Sequence, residues 1–164
     1  ESNWGSRSKR MYLIINGDVA GSRKNGINVR ANLVEDFSHL TKRQLAKAPK
    51  ISFDTLVYNF GTITQGDVVK HDFVYKNLGK NPLFIRKVKG SWGCTAVSKT
   101  DSAVNKGETG IISASFNSRG KRGSQHKTIT VITNDPAHQT IRLKMVGTVQ
   151  VKKKATSAPV NNKN

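Results

Sequence analysis

Short runs in which apolar and polar residues alternate constrain this chain more than any other feature. Val69, His71, Phe73 and Tyr75 fall on one side of such a run, with Lys70, Asp72 and Lys76 on the other. Ile112, Ala114 and Phe116 alternate with Ile111, Ser113 and Ser115, and Leu83 and Ile85 with Phe84 and Arg86. Further runs place Ile129 with Val131, and Ile141 with Leu143, Met145 and Val149. A period of two belongs to a β-strand with one face in a core and one in water. The runs are separated by turn-forming residues at Gln65 to Asp67, Asn77 to Pro82 and Gly90 to Gly93. About seven strands in residues 51–150, with no long helical pattern, predict an all-β chain built as an immunoglobulin-like antiparallel β-sandwich.

The chain also repeats part of itself. Gly5, Ser6, Lys9, Ile14 and Asn16 match Gly123, Ser124, Lys127, Ile132 and Asn134 at constant spacing. Each copy runs into a second alternating segment, Ile27 to Leu33 in the first and Ile141 to Val149 in the second. A recurring unit of this kind marks a tandem array. Residues 1–36 are therefore expected to be the terminal β-hairpin of a truncated preceding repeat, with strands at 11–15 and 27–34 around an Asn16-Gly17 turn. Residues 37–50 read as a linker with one short helical turn, because Thr41 and Gln44 have capping-box spacing and Pro49 ends anything helical. Residues 51–150 form the complete sandwich. The lysine-rich segment 151–164 has too little apolar surface to fold and is expected to be disordered. A hairpin without its sandwich exposes an apolar face and unpaired edges, so self-association through residues 11–34 is a further expectation.

The net charge of +18 favours anionic partners, most strongly at low salt. No apolar run approaches the roughly 18–20 residues of a membrane helix. Residue 1 is Glu, and the segment is read as a trimmed product whose export signal is not shown. The single cysteine, Cys94, excludes an internal disulfide and a cysteine cage for a metal.

No catalytic constellation emerges. Cys94 would need a base and a lowered thiol pKa to act as a nucleophile, and is read as structural. His39, His71, His126 and His138 lack metal-ligand spacing, so neither a metal nor a cofactor is expected. The stretch from Arg119 to Lys127 is the most promising contact surface. Its glycines allow close backbone approach, and Arg119, Lys121, Arg122 and Lys127 supply cations. Arg142 and Lys144 add charge on a wet strand face. Trp92 and Phe84 are the aromatic residues placed to stack, but no interleaving of aromatics with cations speaks for nucleic acid, which remains an unfavoured partner.

The run Tyr58, Phe60, Gly61, Ile63, Gly66, Val69, then His71, Phe73, Tyr75, Asn77, Gly79, Pro82 and Leu83, resembles the domain-of-unknown-function 1573 family. So do Gly93-Cys94-Thr95, Gly107 with Gly110, Ser115 to Ser118, Gly120 with Gly123, and Thr133-Asn134-Asp135. The resemblance covers residues 51–149, and residues 1–34 match the last two strands of the pattern. It implies a sandwich related to the ASH and major-sperm-protein folds, found mainly in envelope proteins of Bacteroidota-type bacteria. The family commonly has Cys-Gly-Cys-Thr where this chain has Trp92, Gly93, Cys94 and Thr95, so a paired-cysteine role is not carried over.

The function expected from these features is a non-catalytic structural or interaction module of a tandem-repeat envelope protein. It would scaffold or tether other envelope proteins, and the resemblance implies a periplasmic or outer-membrane location. The alternative is a polyanion-binding protein for peptidoglycan, lipopolysaccharide or nucleic acid, acting through its basic surface, with anionic glycan or lipid as ligand.

Overall fold

The computed structural model describes residues 4–12, 14–15, 18–19, 26–98, 100 and 102–151. Of the tail expected at 151–164 all but Val151 lies outside the described residues, as does the Asn16-Gly17 turn. Eight strands form the sandwich: β5 (Ile51–Phe53), β6 (Val57–Thr64), β7 (Val68–Asn77), β8 (Ile85–Gly90), β9 (Cys94–Ser98), β10 (Thr109–Asn117), β11 (Gly123–Thr133) and β12 (Thr140–Gln150). One sheet runs β5-β7-β10-β9 and the other β6-β12-β11-β8. All pairings are antiparallel except that of β6 with β12, which is parallel.

The alternating runs form strands because each buries one face. Phe73, Tyr75, Ile112, Phe116, Ile129, Leu143 and Met145 are completely enclosed between the sheets. Burying each such side chain stabilises the fold by about 1.5–3 kcal/mol before chain entropy is counted. Gly110 faces the ring of Tyr75, which occupies the space a Cβ would need.

Ile51 to Ile63 reads as one run in the sequence, but the chain changes sheets within it. Thr55 makes the break: Val57 N donates to its Oγ1 at 3.3 Å, and Oγ1 donates back to Val57 O at 2.9 Å. β5 therefore pairs with β7, and β6 with β12.

Buried polar residues tie the connections down. Asn77 is fully enclosed; its Oδ1 accepts from Lys50 N and Gly79 N, and its Nδ2 donates to Asn81 O and Val104 O. Asp135 Oδ2 accepts from Ile51 N at 3.0 Å and Oδ1 from Ala137 N at 2.9 Å. Asn134, only partly buried, steadies the entry to β8 by accepting from Phe84 N at 2.7 Å. These family-like positions are thus backbone clasps, which is what buried polar side chains must be if they are not to destabilise the fold.

Ahead of the sandwich, β1 (Gly5–Tyr12) pairs antiparallel with β4 (Gly26–Leu33), and β2 (Ile14–Ile15) with β3 (Asp18–Val19). The first strand begins earlier than its apolar residues indicate, because the ladder continues to Gly5↔Leu33 whatever side chains it carries. The linker contains α1 (Lys42–Leu45), whose capping box forms as expected: Gln44 N donates to Thr41 Oγ1, and Thr41 N to Gln44 Oε1.

Candidate functional site

Antiparallel pairing brings three connections to one end of the sandwich. Phe116 pairs with both Val69 and Cys94, so the β6–β7, β8–β9 and β10–β11 connections meet there. Ser118, fully buried, is the pin between two of them. Its Oγ accepts from Gly66 N at 2.9 Å and donates to Asp67 O at 2.8 Å, and its N–H also donates to Asp67 O. Gln65 Nε2 donates to Lys121 O at 2.9 Å, and Asn117 N to Gly93 O at 3.3 Å. The three loops are therefore one hydrogen-bonded platform.

Trp92 stands on this platform with 85% of its surface exposed. Gly93, at φ 86°, takes the left-handed turn that lifts the indole away from the strands. Lys121 Nζ lies 3.7 Å from the centre of the Trp92 ring, a cation–π contact formed across two loops. Arg119 and Arg122 are exposed on the same β10–β11 loop. An exposed aromatic held against one cation, with two more exposed on the same loop as that cation, can offer a partner an apolar contact and acidic groups a counter-charge.

The other cations expected to make contacts sit elsewhere. Arg142 and Lys144 lie on the outer face of β12, in register with Thr130 and Thr128 of β11. Lys89 of β8 pairs with that same Thr130, extending a basic row across the sheet. Lys127 is in phase with Ile129 and turns inward, with its amine 5.2 Å from the Phe116 ring centre. It supports the rim of the core rather than standing beside Arg119.

Cys94 is half-buried, and burial pushes its thiol pKa up while Lys127 nearby opposes the rise. That is the reverse of an activated thiol. His71 stacks on Tyr58 at 3.8 Å between ring centres, meets Phe73 edge-on at 4.6 Å, and has a buried Nε2 without a hydrogen-bond partner. Among the described residues, no three His, Cys, Asp or Glu side chains gather closely enough to hold a metal ion.

The sequence model of the family described as "Protein of unknown function (DUF1573)" matches residues 51–149. No curated protein matches the sequence. In structure the chain is similar to a protein of unknown function from Porphyromonas gingivalis W83, with a TM-score of 0.64 and 20% identity, over 88% of this chain and 66% of that one. It is also similar to the Vibrio cholerae VesB protease, with a TM-score of 0.48 and 17% identity, over 61% of this chain and 31% of that one. The ASH / PapD-like domain 7 of human CEP192 aligns with a TM-score of 0.45 and 15% identity, over 73% of this chain and 99% of the domain. The chain thus spans about two thirds of the first protein's length and about a third of the second's.

Proposed function

The chain belongs to the DUF1573 family, and we propose that its complete sandwich is a non-catalytic interaction module that tethers protein partners in the cell envelope. The observation that carries this reading is Trp92, exposed on loops that are locked to one another, with Lys121 against its ring and Arg119 and Arg122 exposed on the same loop as Lys121. Trp and Arg are over-represented among the residues that dominate binding energy at protein interfaces. A rigid platform loses little conformational freedom on association, so more of the contact energy appears as affinity. The expected partner surface has an apolar pocket for the indole and carboxylates around it. The envelope location is part of the proposal and is suggested by the family resemblance alone.

A second reading rests on the row formed by Lys89, Arg142 and Lys144 on the outer sheet face. Such a row suits an anionic glycan, lipid headgroup or nucleic-acid backbone, whose binding would fall steeply with added salt.

The two readings separate in a capture experiment with the intact protein and envelope extract at low and high salt. Trp92→Ala and the triple reversal R119E/K121E/R122E should each reduce capture of a defined protein by roughly tenfold or more. R142E/K144E should leave it unchanged. Capture that survives Trp92→Ala but disappears with R142E/K144E, or in high salt, refutes the platform reading in favour of the polyanion one.

A further inference from the structure

The hairpin at the start of the chain carries a core-like apolar face that stands exposed. Its register repeats that of the last two strands of the sandwich without a slip. Gly5↔Leu33, Arg7↔Ala31, Lys9↔Val29 and Met11↔Ile27 in β1–β4 correspond to Gly123↔Val149, Gln125↔Gly147, Lys127↔Met145 and Ile129↔Leu143 in β11–β12. Gly5 and Gly123 both take positive φ, 85° and 69°, at the matching point of the ladder. In the sandwich Ile129, Leu143, Met145 and Val149 are at most 2% exposed. Their counterparts Met11, Ile27, Val29 and Leu33 are between 42% and 56% exposed. A two-stranded ribbon of this sort has no independent stability to spare, and an apolar face of this size is normally covered.

The correspondence identifies what the cover is. Lys127 rests its amine against Phe116 of the facing sheet, and Lys9 holds the same place in the first copy, so its face is matched to an aromatic-bearing sheet. A second copy packed hairpin to hairpin would instead oppose Arg7 and Lys9 to their own kind, which is unfavourable. In the sandwich, β5–β10 precede the two strands that close it. A frame closed by β1–β4 would accordingly precede β1 in the polypeptide.

We propose that β1–β4 is the closing hairpin of another sandwich of the same fold, whose six-strand frame lies N-terminal to this segment in the natural polypeptide. The joint between the two sandwiches is already built into this chain. Lys87 Nζ donates to Trp4 O at 2.8 Å, and the Arg86 guanidinium lies 5.5 Å from the Trp4 ring centre. Beyond β4, Glu35 pairs with Arg86 at 3.2 Å, and its carbonyl accepts from Gln139 Nε2 at 2.8 Å. Gly5 packs so closely on Ile132 that a Cβ would collide. Both strands of the hairpin are clamped to the second sandwich at its open end, so the two units meet at a fixed joint rather than along a free string. This inference rests on the ladder, the burial contrast and the contacts at Lys127, Trp4, Gly5 and Glu35, and stands or falls independently of docking at Trp92.

Thiol labelling tests it. Val29→Cys and Asn28→Cys, on opposite faces of β4, are each made in a Cys94→Ala background. Both are made in this 164-residue segment and in the full natural polypeptide. In the segment both cysteines should label quickly. In the full polypeptide Val29→Cys should label on the order of 100-fold more slowly than Asn28→Cys, since exchange then requires opening of a folded unit. Equal rates in the full polypeptide overturn the proposal. So does protection of Val29→Cys in the segment that grows with concentration and accompanies a doubled mass, because the face would then belong to a second copy.

Discussion

At the scale of single residues, His71 links the core to solution pH. Burial lowers its pKa from the usual 6.5, against a smaller upward pull from Asp72. Tyr58 covers one face of its ring, and Phe73 meets it edge-on. The unfolded chain therefore takes up the proton more readily than the folded one, and stability falls as pH drops below 6.5. The melting temperature should be flat above neutrality and decline between pH 6.5 and 5. His71→Phe should reduce that decline, and an unaltered profile in the variant would place the titrating group elsewhere. The inward position of His71 is legible in the alternation of its strand. The roles of Asn77, Asp135 and Ser118 are not, because the backbone groups they satisfy come from distant parts of the chain. Sequence identifies such residues by resemblance but cannot say what they hold.

At the scale of elements, period-two alternation reveals strands and their wet faces, but not which sheet a strand joins. In the Ile51 to Ile63 run the apolar phase switches, from Ile51 and Phe53 to Tyr58 and Phe60, where Thr55 turns the chain from one sheet to the other, but the switch does not name the new partner strand. Lys127 was within reach of the same pattern, since it lies two residues before Ile129 and shares its face. The meeting of Trp92 with Lys121 was not, because it depends on long-range pairing through Phe116. The short helix needed only Thr41 and Gln44, whose interaction is local. The hairpin clamp is likewise long-range, and makes a prediction of its own. Arg86→Ala removes the ion pair to Glu35 and the stacking on Trp4 and Phe84. Amide exchange in β1 and β4 should accelerate, while the sandwich loses no more than about 1 kcal/mol, since the pair is partly exposed. Unchanged exchange in β1 would mean that Arg86 does not hold the hairpin.

At the scale of the whole molecule, the proposed joint and the proposed platform lie at the two ends of β8. The joint with Trp4, Glu35 and Arg86 lies where β8 begins, and the Trp92 platform lies where β8 ends and β9 begins. A net charge of +18 surrounds both and raises encounter rates with acidic partners, without choosing among them. On the proposed reading, selectivity falls to the indole and the loops that hold it. The most direct test of that claim is to place a photo-crosslinking amino acid at position 92 of the full natural polypeptide, in its native cells, with the same group at position 144 as a comparison. A defined protein captured from position 92 but not from position 144, and retained in high salt, is the result expected of a tethering platform. Capture from position 144 alone, or of glycan, lipid or nucleic acid only, would contradict it and make the basic sheet face the working surface.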